Sequence, residues 1–130
     1  MATVIPDSHR DLLDGALYAH LATVRADGTP QVNPTWFVWD GELLWLTTTS
    51  QRRKYHNVLI HPEVALSVND PEQPYRYLEV RGVVERIDPD PAATLFDQLA
   101  TRYGLDYEKP IGDAADRVAI GVRPTHASLQ

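Results

Sequence analysis

Two Asp-Gly pairs, Asp27-Gly28 and Asp40-Gly41, divide the first half of the sequence into stretches rich in β-branched and aromatic residues. Asp-Gly favours tight hairpin turns, because glycine readily adopts the positive φ that such turns require. The flanking stretches are residues 18–25, 31–39 and 42–48. Three consecutive strands joined by two such turns predict an antiparallel meander, which restricts the chain to folds built on an antiparallel sheet.

The rest of the sequence predicts three further strands and three short helices. The predicted strands are residues 64–68, residues 75–87 with a bend at Gly82, and residues 117–122. The predicted helices are residues 7–13, residues 51–60 ending before Pro62, and a helix that opens at Asp90-Pro91 and ends at Gly104. Six strands that mostly follow one another predict an α+β fold, an antiparallel barrel with short peripheral helices.

Composition limits the class of protein. At 130 residues, with 43% hydrophobic and 23% charged residues, the chain is expected to form one soluble domain over residues 1–130. Its net charge of −6 argues against nucleic-acid binding, which requires a basic face. The absence of cysteine excludes disulfides, thiolate catalysis and cysteine-ligated metal sites. Neither a signal peptide nor a membrane span is recognisable, so we expect a cytoplasmic protein.

One segment breaks the usual distribution of charge along a helix. Ser50 is the predicted N-cap of the second helix, and the cations Arg52, Arg53 and Lys54 follow it directly. A helix N-terminus carries a partial positive charge and favours acids, so three cations there are at the wrong end. Two interpretations remain open: the cations are simply solvated, or they hold an external anion such as a phosphate, together with free backbone N–H groups.

No catalytic side chain or metal site stands out. His56 and His61 do not share a helix face, and no metalloprotease, nucleophile-elbow, dinucleotide or P-loop motif is present. An enzyme without recognisable catalytic side chains is often one whose cofactor performs the chemistry. In the strand predicted beside the cations, alternation places Val32, Pro34 and Trp36 on one face and Asn33 and Thr35 on the other.

Three segments carry a resemblance to a known family: LATVRADGTPQVNP, SQRRKYHNV before HPEVALSV, and EVRGVVERI. In this order they resemble the pyridoxamine 5'-phosphate oxidase-like (PPOX class) split β-barrel superfamily, and within it the short branch that uses the deazaflavin coenzyme F420. The resemblance implies a six-stranded split β-barrel that forms a homodimer with its cofactor sites at the subunit interface. It implies F420 as the cofactor. FMN is the alternative, because both cofactors present a phosphate and a tricyclic ring.

The resemblance also assigns cofactor-binding residues. The Arg-x-Lys that holds the cofactor phosphate corresponds to Arg52 and Lys54, inside the run that includes Arg53. The ring system is expected against Val32, Asn33, Pro34 and Thr35, and against the strand end Thr48, Thr49 and Ser50. An aromatic side chain that approaches the cofactor, usually across the dimer, corresponds to Tyr75.

The function implied is that of an oxidoreductase in which reduced F420 delivers hydride to a small conjugated organic acceptor. The alternatives are an FMN-binding flavin reductase or pyridoxamine phosphate oxidase-like protein, and a cofactor-binding protein without turnover. An interaction domain whose cations bind only a stray phosphate is a further alternative. The acceptor is not predictable from the sequence, because it depends on the shape of a pocket formed by loops.

Overall fold

The computed structural model describes residues 4–130 and contains one antiparallel sheet with three short α-helices. The strands are β1 (Ala19–Val24), β2 (Pro30–Thr35), β3 (Val38–Trp39), β4 (Leu44–Thr49), β5 (Glu63–Asn69), β6 (Tyr77–Pro89) and β7 (Arg117–Leu129). The helices are α1 (Asp11–Asp14), α2 (Arg53–Ile60) and α3 (Thr94–Arg102), with 3-10 turns at Asp7–His9 and Ala114–Asp116. The α+β antiparallel fold is therefore confirmed, with seven strands rather than six.

The strand order explains why the sheet forms a split barrel. The order is β2-β1-β5-β6-β7-β4-β3, and every neighbouring pair is antiparallel. The two edge strands, β2 and β3, are consecutive in the chain and are joined only through Trp36 and Phe37. The sheet therefore curls until its edge strands meet at this link, and within residues 4–130 no ladder pairs β2 with β3 or β4.

The prediction of one continuous strand over residues 31–39 is wrong, and the physical reason lies at the link. β2 pairs only with β1, whereas Val38–Trp39 pairs only with β4. At the break, the Phe37 N–H donates to the Tyr103 hydroxyl at 3.1 Å, and the Phe37 carbonyl accepts from Arg102 Nε at 3.1 Å. Side chains of α3 and its C-terminal end thus replace the ladder bonds that a continuous strand would need.

The predicted turns and the predicted bend are confirmed. Gly28 and Gly41 have φ values of 89° and 95°, in the region that the Asp-Gly turns were expected to use. At Gly82 the register between β6 and β7 shifts, and a Cβ there would lie 2.5 Å from the Arg123 carbonyl oxygen. Only glycine allows the two long strands to approach this closely.

Two predicted helix starts are wrong. Ser50 does not cap α2: the helix begins at Arg53, with Arg52 at the N-cap and no side-chain cap. The last predicted helix begins at Thr94 rather than at Asp90, because Ala93 adopts a left-handed φ of 55°. The Asp90 carboxylate still accepts from the Thr94 N–H at 3.0 Å, so it caps the helix from one turn upstream.

The core lies inside the curled sheet and fixes α2 against it. Phe37, Leu44 and Leu78 are fully buried in the main cluster. Asn57 of α2 is also buried, and its amide donates to Thr23 Oγ1 at 2.9 Å, which holds the helix on β1. A second cluster forms around Phe96 in α3; its other members are Ala93, Ala100, Trp36, Tyr107, Ile111 and Ala114. None of the helices in residues 4–130 is long and apolar enough to cross a membrane.

Candidate functional site

A cleft opens where the edges of the sheet meet, between the end of β2 and the middle of β4. Its volume is about 340 Å³. The lining residues come from β2, the link, β4, the N-cap of α2, α3 and β7: Tyr18, Pro34, Thr35, Trp36, Thr47, Arg52, Phe96 and Arg117. Two arginines and three aromatic rings are among these lining residues.

Two arginines, Arg52 and Arg117, line the cleft, and Lys54 lies near enough for both to act on its charge. Within residues 4–130, neither Arg52 nor Lys54 forms an ion pair, and the first turn of α2 contains no acidic residue. Burial lowers the pKa of Lys54 below its usual range, and the charges of Arg52 and Arg117 lower it further. Three positive charges therefore lie near one another, and two of them, Arg52 and Lys54, have no acidic partner in the described residues. This arrangement favours the binding of an external anion.

The turn before α2 presents the helix N-terminus to this cleft. The Gln51 N–H donates to Thr49 Oγ1 at 3.3 Å, and the Arg52 N–H donates to the Thr49 carbonyl at 3.1 Å. The Ser50 N–H donates to the Asp116 carbonyl at 3.0 Å, which ties the turn to the start of β7. The first N–H groups of α2 have no side-chain cap, so they remain available to an anion.

Arg117 is a site residue that the sequence analysis missed. It is 8% exposed, its guanidinium makes two hydrogen bonds to Asp113 (2.9 and 3.1 Å), and its Nη1 donates to Thr47 Oγ1 at 3.4 Å. Its Cζ lies 4.5 Å from the centre of the Phe96 ring. In the sequence it is only the first residue of a predicted strand; the register that pairs it with Thr49 was not predictable.

Three rings form an aromatic wall of the cleft: Tyr18, Trp36 and Phe96. Trp36 stacks on Tyr103 with a centroid distance of 5.1 Å and an interplanar angle of 11°. Tyr18 is 57% exposed, so its ring is accessible. Tyr18 and Phe96 were also missed as site residues, because apolar spacing alone does not separate a core aromatic from one that lines a cleft.

The sequence-predicted site residues divide into three groups. Pro34, Thr35 and Arg52 line the cleft. Thr48 and Thr49 are buried in β4, Ser50 lies in the turn, Lys54 is half-buried in the first turn of α2, and Arg53 is exposed. The third group is Val32, Asn33 and Tyr75, and no member of the second or third group is among the residues that line the cleft.

Val32 and Tyr75 are both strongly exposed. Val32 is 66% exposed, opposite Ala22 on the outer face of the sheet. Tyr75 is 86% exposed and lies in the loop before β6, not in the strand predicted for residues 75–87. Neither residue lines the cleft within one chain.

Asn33 presents a polar atom that the chain does not satisfy. Its Oδ1 is buried and has no hydrogen-bond partner, the only such side-chain atom in the described part of the chain. Its amide nitrogen donates to the Pro34 carbonyl at 3.2 Å, and its neighbours Pro34 and Thr35 line the cleft. An unpaired buried acceptor costs free energy, and a ring N–H donor from a bound heterocycle would satisfy it.

The outer face of the sheet carries a second, largely apolar depression of about 370 Å³. Its lining consists of Ala22, Thr23, Val24, Pro30, Glu63, Val64, Ala65, Arg81, Gly82, Val83 and Thr125. No group of three or more His, Asp or Glu residues within positions 4–130 is arranged to hold a metal ion.

Comparisons with known proteins agree with the fold. The family model described as pyridoxamine 5'-phosphate oxidase matches residues 5–130. A solved structure named F420 Reductase is 55% identical, with a TM-score of 0.93, over 95% of this chain and 98% of that one. No curated protein matches the chain.

More distant structures show the same fold. A conserved hypothetical protein of Mycobacterium tuberculosis is 22% identical, with a TM-score of 0.74, over 98% of this chain and 85% of that one. General Stress Protein 26 of Bacillus anthracis is also 22% identical, with a TM-score of 0.69, over 92% and 88% of the two chains.

Proposed function

Because the chain belongs to the pyridoxamine 5'-phosphate oxidase family, we propose that it is an oxidoreductase that uses reduced coenzyme F420 to transfer hydride to a small conjugated organic acceptor. The observation that carries the proposal is a cleft lined by Arg52, which has no acidic partner, and by aromatic rings, with Lys54 close enough for the charge of Arg52 to lower its pKa. This arrangement suits a ligand with a phosphate and a planar ring. The 55% identity to the structure named F420 Reductase favours the deazaflavin over FMN.

Each part of the cleft has a role in this proposal. Arg52 and Lys54 hold the phosphate, with the uncapped N–H groups of α2 beside them. The buried Oδ1 of Asn33 accepts from a ring N–H and so fixes the orientation of the ring. The bound coenzyme supplies the hydride, while the protein orients it and shields the ring from water. No side chain of this chain is assigned a covalent role.

A homodimer is part of the proposal. The depression on the outer face and the exposed Val32 leave apolar surface that a second subunit would cover. Tyr75 lies outside the cleft of its own chain and is exposed, as expected of a residue that reaches the partner's site. Sedimentation at micromolar concentration is expected to give a dimer; a monomer would remove the shared-site arrangement.

The first experiment is a parallel titration of the purified protein with F420 and FMN, followed by the fluorescence of its three Trp residues. Preferential binding of F420 supports the proposed coenzyme. Preferential binding of FMN would assign the protein to the flavin-dependent members of the family. Binding of neither would contradict the proposed function without affecting the fold.

Two neighbouring arginines provide a matched pair of variants. Arg52→Met removes a cation that lines the cleft, whereas Arg53→Met removes an exposed cation that does not. We expect Arg52→Met to weaken F420 binding by about tenfold or more, and Arg53→Met to weaken it much less. Equal losses would show that the general positive field, rather than contact in the cleft, determines affinity.

Turnover separates an enzyme from a carrier. F420 in its reduced form is mixed with the protein and a panel of conjugated ketones, quinones and nitroaromatic compounds, and oxidation of the coenzyme is followed by absorbance. Protein-dependent oxidation with at least one acceptor supports the oxidoreductase. Tight binding without oxidation across the panel would favour a cofactor-binding protein.

A further inference from the structure

Arg117 lines the cleft and contacts both its aromatic wall and β4. Its guanidinium lies over Phe96 of the aromatic wall at 4.5 Å and also reaches Thr47 Oγ1 at 3.4 Å. Arg52 lines the same cleft. Arg117 therefore places a positive charge beside the aromatic wall of the cleft.

The guanidinium of Arg117 is held in one orientation, but not all of its hydrogen-bond donors are used. Nε and Nη2 donate to the two carboxylate oxygens of Asp113 at 2.9 and 3.1 Å, and Nη1 donates to Thr47. Arginine has five N–H donors, so one N–H remains on each terminal nitrogen. Ordering an arginine costs conformational entropy, and here that cost is already met before any ligand binds.

The backbone around Arg117 is tied to the turn that leads into α2. Arg117 pairs with Thr49 in the sheet, and the carbonyl of the preceding residue, Asp116, accepts the Ser50 N–H. The charge of Arg117 acts on Lys54 strongly enough to contribute to the lowered pKa of that lysine. Arg117 is therefore fixed relative to both the turn and the cations near it.

We propose that Arg117, oriented by Asp113 and Phe96, is an additional anion-binding residue of this cleft and contacts the phosphate of the bound coenzyme together with Arg52 and Lys54. The inference rests on the proposed function for the identity of the coenzyme, but not for the presence of a phosphate site. It assigns Asp113 a positioning role, because its carboxylate fixes the plane of the guanidinium.

The test compares a ligand that has the phosphate with one that lacks it. Arg117→Met keeps a long apolar side chain over Phe96 but removes the charge. Arg86→Met is the matched control, because Arg86 also forms an ion pair, with Asp88, but does not line the cleft. Dissociation constants are measured for F420 and for its phosphate-free deazaflavin chromophore, and thermal midpoints are measured with and without inorganic phosphate.

We expect Arg117→Met to weaken F420 binding by about tenfold or more and to leave the affinity for the phosphate-free chromophore unchanged. We also expect it to abolish most of the rise in thermal midpoint that inorganic phosphate causes in the unaltered protein. Arg86→Met should change none of these quantities. Equal weakening of both ligands, or no weakening of either, would overturn the assignment and leave Arg117 with a packing role.

Two further observations keep the test decisive. If Arg117→Met does not fold, Arg117→Lys retains the charge without the two-pronged hold by Asp113, and a phosphate-specific loss of several-fold is expected; no such loss would overturn the proposal. If the unaltered protein binds inorganic phosphate but not F420, and Arg117→Met loses that binding, the proposed coenzyme fails while the role of Arg117 stands.

Discussion

The hydroxyl of Tyr103 lies 3.1 Å from the backbone nitrogen of Phe37, at the link between the two edge strands. It accepts the Phe37 N–H and donates to the Leu17 carbonyl at 2.6 Å. The ring of the same residue stacks on Trp36. One side chain just after α3 therefore fixes both the break in the strand and the orientation of the aromatic wall.

Tyr103→Phe is expected to lower the free energy of unfolding by about 1–3 kcal/mol, because it removes the hydrogen bonds of the Tyr103 hydroxyl with the buried Phe37 N–H and the Leu17 carbonyl. Chemical denaturation measures this loss. Tyr77→Phe is the control: that residue is half-buried and its hydroxyl makes no hydrogen bond within residues 4–130, so its stability change should stay within about 0.5 kcal/mol. A loss of similar size in both variants would contradict the role of the Tyr103 hydroxyl.

Lys54→Met is expected to raise the thermal midpoint of the ligand-free protein in phosphate-free buffer and to weaken coenzyme binding. The charged form of Lys54 is disfavoured by burial and then by Arg52 and Arg117, so removing the charge relieves a cost. Sites built for a ligand are often destabilising in its absence. Arg53→Met, which removes an exposed cation, should leave the midpoint nearly unchanged; a lower midpoint in Lys54→Met would contradict the argument.

The stability gain from Lys54→Met should depend on pH. The pKa of Lys54 is lowered in the folded protein, so between that value and the unfolded value the unfolded chain binds more protons. Stability contributed by this residue therefore rises with pH across that interval. Denaturation at neutral and alkaline pH should show the difference between the variant and the unaltered protein narrowing as pH approaches the usual lysine value; a constant difference would exclude this cause.

Gly82→Ala is expected to destabilise the protein by about 1–3 kcal/mol, as overpacking at a close backbone contact does. The added Cβ would lie 2.5 Å from the Arg123 carbonyl oxygen and 2.8 Å from Val122 Cγ1. Gly112→Ala is a suitable control, since a Cβ there meets nothing within 4 Å. Thermal denaturation of both variants provides the comparison, and equal midpoints would show that β6 and β7 can separate without cost.

The elements of this fold were largely predictable from local sequence, because their signals are local. The Asp-Gly turns, the bend at Gly82 and the alternation in the strands each depend on residues a few positions apart. The break at Trp36–Phe37 was not predictable, since it depends on Tyr103 and Arg102 far along the chain. This break is what divides the one predicted strand into β2 and β3.

Some residues of the candidate site were predictable from one segment of the sequence, and others were not. The cations at Arg52 and Lys54 stand out in sequence because they occupy the unfavourable end of a helix. Arg117 and Phe96 join them only through the register of β4 with β7 and the packing of α3. Such contacts between distant segments leave no spacing pattern in a single sequence.

The two-residue link between β2 and β3 sets a covalent limit on the width of the cleft. Three peptide steps separate Thr35 from Val38, so these edges cannot lie more than about 11 Å apart, however the core repacks. Away from the link only side-chain packing holds the edges, so substitutions in the core can change the width there. Proteins with this connection can therefore vary the width of the cleft away from the link while keeping one geometry at the link.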